Sequence, residues 1–296
     1  MTLSVRRHQN DSSIVWRIPF AGVIGMKFCW HGCGAFSLRL AGVEILVDPY
    51  FSPLGSYGPW YTANPHAPAL DDYFRLCAPD FVLITHGHFD HLDLEAARAL
   101  CARSRARFCG SAEAIAALAG VGVPAERLCT LASGHPAALG GAVVMPVEGV
   151  HWQTGAEGTG IAAKFAGRPD RYGAMPCGGP AFGYLLRATP GAAADAYISG
   201  DTMPEGVPLC AARVAVLGVT GPLRHPKTGE VCMAALGTAD LVPALQRLSA
   251  RVAVVVHWDF PLFVAPVDIA AAARAAEAEL DVTVVVPPYN RWVVLP

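Results

Sequence analysis

The apolar run Phe81–Ile84 leads without a break into Thr85-His86-Gly87-His88-Phe89-Asp90-His91. A strand that ends in three imidazoles and a carboxylate constrains a chain strongly, because such groups are rarely placed together unless they share a ligand. A tight turn after the strand projects His86 and His88 to one side. Asp90 and His91, at the start of the following helix, project to another. Imidazole nitrogen and carboxylate oxygen suit a borderline cation, with zinc the first choice and manganese or iron the other candidates. Two donor pairs this close can serve two divalent ions a few ångströms apart, the arrangement that activates a bridging hydroxide. Four donors cannot close two such sites, so the fold must bring further donors to this strand end.

Three candidates stand at the ends of other apolar runs: His151 in PVEGVHW, Asp201 in ISGDT and His257 in VVVHWD. Each alone is a weak signal, since a strand-end His is often a capping residue and a Gly-Asp-Thr turn is often only a turn. Their order after the histidine motif is what a two-cation site needs. The remaining pattern is of short β-rich runs: 26–30, 35–40, 44–47, 81–84, 142–147, 182–187, 196–199, 213–217, 252–256, 282–286 and 292–295. Helical stretches are expected at 94–101, 111–119, 234–247 and 267–279. Strands interspersed with helices predict a layered α/β domain with two sheets and helices outside. No repeat divides the chain, so residues 1–25 read as an N-terminal extension and 26–296 as one domain. Two aromatic- and Pro/Gly-rich loops, 50–72 and 152–180, are expected to form ordered rims.

With these residues in view, the chain resembles the metallo-β-lactamase superfamily over roughly residues 26–296. The resemblance rests on ILVDP (Ile45–Pro49), THGHFDH, His151, SGDT (Ser199–Thr202) and His257. It implies a four-layer αββα sandwich with a metal centre at one sheet edge. It also implies one ion on His86, His88 and His151, a second on Asp90, His91 and His257, and Asp201 bridging them. Asp48 would be a carboxylate that orients a ligand histidine. Within the superfamily the sequence is most similar to the branch of L-ascorbate-6-phosphate lactonase and N-acyl phosphatidylethanolamine phospholipase D, through KFCWHGCGAFSLRLAGVEILVDPYF, FGYLLR…AYISGDT and VVVHWDF. The function implied is dinuclear metal-dependent hydrolysis of a small ester, lactone or phosphodiester by a metal-bridging hydroxide, with Asp90 also orienting the nucleophile. An iron-dependent oxidoreductase or dioxygenase, or a non-hydrolytic biosynthetic enzyme, is the alternative on the same scaffold.

Other residues carry weaker expectations. His31, in WHGCG, is read as lying beneath the metals or packing at a hairpin. His225 is a candidate for substrate contact or leaving-group protonation, and Trp152 and Trp258 for pocket walls. Lys164, Arg168, Arg171, Arg224 and Lys227 could pair with an anionic substrate. His8, His66 and His135 are expected at the surface. No serine-nucleophile elbow, phosphate-binding loop or dinucleotide fingerprint is present.

Composition narrows the classes further. With 22 Lys+Arg against 24 Asp+Glu the net charge is −2, too balanced for a basic nucleic-acid surface. Hydrophobic residues reach 53%, yet the longest apolar runs are about five residues, far below the roughly 20 of a membrane span. The first 17 residues lack a signal-peptide core. Nine scattered cysteines form no paired framework. The expectation is a cytoplasmic enzyme of a small-molecule substrate, with its oligomeric state open.

Overall fold

A computed structural model describes residues 16–17, 25–57, 61–151, 180–189, 193–224, 229 and 231–295. Its strands are β1 (Trp16–Arg17), β2 (Met26–Trp30), β3 (Phe36–Leu40), β4 (Val43–Val47), β5 (Phe81–Leu83), β6 (Arg107–Gly110), β7 (Leu128–Thr130), β8 (Ala137–Leu139), β9 (Ala142–Glu148), β10 (Phe182–Arg187), β11 (Ala194–Ile198), β12 (Ala212–Gly218), β13 (Leu223–Arg224), β14 (Val231–Cys232), β15 (Val252–Val256), β16 (Thr283–Val285) and β17 (Trp292–Leu295). The helices are α1 (Leu70–Leu76), α2 (Leu94–Arg103), α3 (Ala112–Gly120), α4 (Leu241–Leu248) and α5 (Ile269–Glu279).

Two mixed sheets are stacked. One runs β1-β17-β2-β3-β4-β5-β6-β7 and the other β16-β15-β12-β11-β10-β9-β8. The strands read as near-continuous apolar runs because both faces are covered. In β4, Val43, Ile45 and Val47 enter the core between the sheets, while Leu46 packs on the outer side with Val82, Leu100, Phe108 and Leu118. In β15, Val252, Val254 and Val256 face the same central core, and Ala253 and Val255 pack outward with Leu245 and Ala276. This strict two-residue alternation gives four layers, αββα, with helices on both outer faces.

Helix boundaries follow local chemistry. Asp93, Ser111 and Asp268 cap α2, α3 and α5 by accepting the backbone N–H of Ala96, Ala114 and Ala271. The helix expected from Ala234 starts only at Leu241. Residues 234–237 cannot coil because their backbone is used elsewhere: Leu236 N donates to Thr202 O, and Leu236 O accepts from Thr220 N. Pro243 then falls in the first turn of α4, where its missing N–H is tolerated. Helix α1 takes over the end of the loop expected at 50–72. It is a seven-residue helix with one fully buried residue, Tyr73, too short for a readable 3.6-residue period. The strands β6, β7 and β8 escaped the sequence reading for the same reason of length.

The strand directions place the site. β4 and β5 are parallel neighbours, as are β11, β12 and β15. Asp48, His86, His151, Asp201 and His257 follow β4, β5, β9, β11 and β15, so all five emerge from carboxyl ends on one edge of the sandwich.

Candidate metal centre

The seven side chains singled out as donors lie together. Nε2 of His86 is 2.9 Å from Nδ1 of His88, which is 2.9 Å from Nε2 of His151. Nε2 of His91 is 3.0 Å from Nε2 of His257 and 3.4 Å from an oxygen of Asp90. That Asp90 oxygen is also 3.4 Å from His257 Nε2. Asp201 stands between the two sets, with Oδ2 3.4 Å from His91 and 4.0 Å from His151, and Oδ1 3.5 Å from His257. Three ring nitrogens converging on one point cannot all satisfy one another with protons. A tetrahedral ion with N ligands at 2.0–2.1 Å separates them by about 3.3–3.4 Å, so a small opening of this cluster admits one. Among the described residues, buried Asp201 Oδ1 has no hydrogen-bond partner, which again fits a site built for a cation.

Other groups aim these donors. His91 Nδ1 lies 2.8 Å from Asp48 Oδ2, which turns its Nε2 inward. The same carboxylate accepts the backbone N–H of Thr85 at 2.8 Å and its hydroxyl at 2.6 Å, and the Thr85 oxygen meets His86 Nδ1 at 3.0 Å. His151 Nδ1 donates to Ala234 O at 2.7 Å. Each interaction fixes a tautomer and a ring orientation. Thr85 was not assigned a role from the sequence, although its place between strand and motif is the signal that could have found it. Thr202 Oγ1 accepts from Val150 N at 2.9 Å and so ties the Gly-Asp-Thr turn to the His151 loop. Gly200, at φ +55°, lets that turn approach Thr85, where a Cβ would come within 2.8 Å of the Thr85 Cβ.

Beneath His91 and His257 runs the loop 31–35. A Cβ on Gly34 would lie 2.8 Å from His91 Cε1. Cys33, at φ +48°, is held at both ends. Its N–H donates to Asp259 Oδ1 at 2.9 Å, and its carbonyl accepts from His257 N at 3.0 Å and the Trp30 indole at 2.9 Å. Asp259 in turn receives Tyr289 Oη–H at 3.2 Å. The bonds from Cys33 to Asp259 and His257 join residues more than 220 positions apart and leave no local sequence pattern.

The electrostatics divide the site in two. Burial and the neighbouring imidazoles hold His86 well below its ordinary pKa. Burial, then His151, brings His88 down to about 3. Burial likewise lowers His151. These three rings are neutral, with lone pairs to give. In the other half, burial opposes charge but is outweighed. Asp201 and Asp90 raise His91 well above its usual range, and Asp201 raises His257. His91 holds Asp90 well below the usual carboxylate range, and His257 and His91 do the same to Asp201.

The weaker candidates are distributed differently. The rings of His31 go to Asn290 and Ser37, not to any of the seven donors. Trp258 packs its indole on Trp30 at 5.4 Å and lies half-buried against the core beside His257. His66 stacks on Tyr289 at 3.6 Å, whereas His135 is exposed. Arg224 is exposed and donates to Gly229 O. Trp152, His225, Lys164, Arg168, Arg171, Lys227 and His8 lie outside the described residues, as does most of the 152–180 loop.

Comparison with known proteins gives the family. Residues 44–258 fit the family described as the Beta-lactamase superfamily domain. A UPF0173 metal-dependent hydrolase of Myxococcus xanthus is 29% identical over 254 residues, covering 83% of this chain and 76% of the relative. Another, from Methanopyrus kandleri, is 27% identical over 236 residues, covering 79% and 84%. Among solved structures, Igni18, a metallo hydrolase from Ignicoccus hospitalis, superposes with a TM-score of 0.66 at 22% identity, over 92% of this chain and 99% of that one, and so shares the fold. With a family match across most of its length, the chain belongs to the beta-lactamase superfamily.

Proposed function

We propose that this enzyme, a metal-dependent hydrolase, works with two divalent ions, zinc being the first choice, and cleaves a small ester, lactone or phosphodiester. The observation that carries the reading is the pair of convergent donor sets with Asp201 between them. His86, His88 and His151 would hold one ion through neutral nitrogens. Asp90, His91 and His257 would hold the other, with Asp201 reaching both. Divalent ions held by these residues would supply Lewis acidity and lower the pKa of a bound water toward neutrality. Asp90 would orient a water bound there, a role supported by its Oδ2 lying 3.4 Å from both His91 Nε2 and His257 Nε2. Asp48 and Thr85 keep His91 and His86 pointed inward. The similarity of the first hairpin and of the ISGDT and HWDF segments to the lactonase and phospholipase D branch supports the substrate class.

The cytoplasm is the compartment we infer, on the unpaired state of the described cysteines. No helix among the described residues is long and apolar enough to cross a membrane. The test is elemental analysis of the purified protein, followed by a screen of lactones, phosphodiesters and acyl amides. Two transition-metal equivalents per chain that depend on the seven-residue centre, with hydrolysis lost in His86→Ala and Asp201→Ala, are the expected results. A protein that binds no transition metal sinks the reading, and oxygen uptake by an iron-loaded protein replaces it with the oxidoreductase alternative.

A further inference from the structure

We propose that Cys29, His31 and Cys77 form a separate structural site for one borderline divalent cation such as zinc, on the outer face of the β2–β3 hairpin. Two cysteine sulfurs and a ring nitrogen of His31 lie within 4.8 Å of one another there. The side chains are enclosed, with Cys29 and His31 0% exposed and Cys77 3%. None belongs to the seven-residue centre, so the proposal stands independently of the hydrolase reading.

The sheet geometry explains why they converge. Phe28 and Trp30 enter the core between the sheets, so Cys29 and His31 point the other way, toward α1. Ser37 is the cross-strand partner of Cys29 and shares that face. His31 continues the ladder past the end of β2 through its N–H to Ala35 O at 2.8 Å. Cys77 arrives from above, at the C-terminal end of α1, its N–H bonded to Tyr73 O. The face is closed by Phe51 and Tyr73, which meet the His31 ring edge-on at 5.6 and 5.3 Å.

The protonation of His31 is set from outside. Asn290 Nδ2 donates to His66 O at 3.0 Å, so its Oδ1 is the atom that faces His31 Nδ1 at 2.9 Å. Nδ1 must therefore carry the proton, and Nε2 presents a lone pair. This is the orientation by a carbonyl acceptor that metal-binding imidazoles show. Ser37 Oγ lies 3.0 Å from that Nε2 and can either release it or supply a fourth donor. Donor separations around a tetrahedral zinc are about 3.3–3.8 Å, so contraction by about an ångström closes the site. The nearby Cys29 sulfur and burial hold the Cys77 thiol above its ordinary pKa in the cation-free cluster. Binding would release one proton from each thiol to solvent. The two thiolates then balance the 2+ charge, leaving a neutral group inside the protein. Its role is to pin α1 to the hairpin whose loop supports His91 and His257.

The test uses the full-length protein exchanged with cobalt(II). A thiolate-to-cobalt charge-transfer band in the near ultraviolet is expected, because the seven-residue centre offers only nitrogen and oxygen. Cys77→Ser is expected to abolish the band and lower metal content by one equivalent, while His86→Ala retains the band. Should Cys77→Ser fail to fold, X-ray absorption of the zinc-loaded wild-type protein decides, with zinc–sulfur scattering expected at about 2.3 Å. Three results overturn the proposal: no sulfur around the metal, a band that survives in folded Cys77→Ser, or a Cys29–Cys77 disulfide in the isolated protein. If the band persists while no second or third metal equivalent is found, the dinuclear reading fails and this site stands.

Discussion

His91 Nδ1 and Asp48 Oδ2 are 2.8 Å apart, both almost fully buried, and the same carboxylate takes two hydrogen bonds from Thr85. One carboxylate thus orients imidazoles in both halves of the site, His91 directly and His86 through the Thr85 hydroxyl. Asp48→Ala would leave Thr85 N–H and His91 Nδ1 without this buried partner. Cation affinity is expected to fall by about 10- to 100-fold, with a stability loss of about 3–5 kcal/mol. Competitive chelator titration and urea denaturation measure the two effects. An unchanged affinity would show that Asp48 serves packing alone.

Gly34→Ala tests the floor of the site. The new methyl would meet His91 Cε1 at 2.8 Å and also approach His257, so the rings or the loop must shift. Metal content at the seven-residue centre is expected to drop from the two ions proposed there toward one, with His86, His88 and His151 still loaded. Elemental analysis of folded protein checks this, and full loading in the variant would contradict it.

The histidine trio sets a pH dependence. A base whose folded pKa is depressed contributes stability above its unfolded pKa and loses it as pH falls toward the folded value. His86 and His151 are lowered, and His88 sits at about 3, against an unfolded value near 6.5. Asp90 and Asp201, also lowered, add to the loss at the acid end of the same window. His91 and His257 are raised and oppose it only above neutrality, because below about pH 6.5 they are charged in both states. Chelated protein should therefore show a falling Tm between roughly pH 6.5 and 3. Thermal melts across that range check the sign, and a Tm that rises on acidification would refute it.

Asp93 anchors the aromatic loop that flanks the centre. Its carboxylate accepts from Phe51 N, Ser52 N, Ser52 Oγ, Tyr57 Oη and Ala96 N, joining residues 51–57 to the first turn of α2. Asp93→Asn replaces an acceptor with an NH2 group that faces donors. The expected cost is about 3 kcal/mol, read by urea denaturation at constant m-value. A change under about 0.5 kcal/mol, typical of an exposed site, would show that the loop is held by its aromatic packing.

Much of this candidate site could be read from the chain because His86, His151, Asp201 and His257 stand just past the ends of apolar runs, and the two-residue period locates such ends. His86 after β5 and His257 after β15 are visible in that way without any tertiary knowledge. The floor of the site was not. Gly34, Cys33 and Asp259 act through contacts such as Cys33 N to Asp259 Oδ1, which depend on the stacking of two sheets. Similarly, residues 234–236 have a helical composition but do not form a helix, since Ala234 O is claimed by His151 and Leu236 by Thr202 and Thr220. Local propensity loses there to long-range hydrogen bonding.

The strand β17 sits between β1 and β2 instead of beside the strands that precede it in the chain. Tyr289 and Asn290, just before it, brace Asp259 and His31. A nascent chain emerging from the ribosome can therefore pair β2 with β3 and β4 early, but it cannot seat the loop beneath His91 until residue 290 is made. Ordering of the donors His91 and His257 would therefore trail synthesis of the histidine motif by the length of chain between His91 and Asn290.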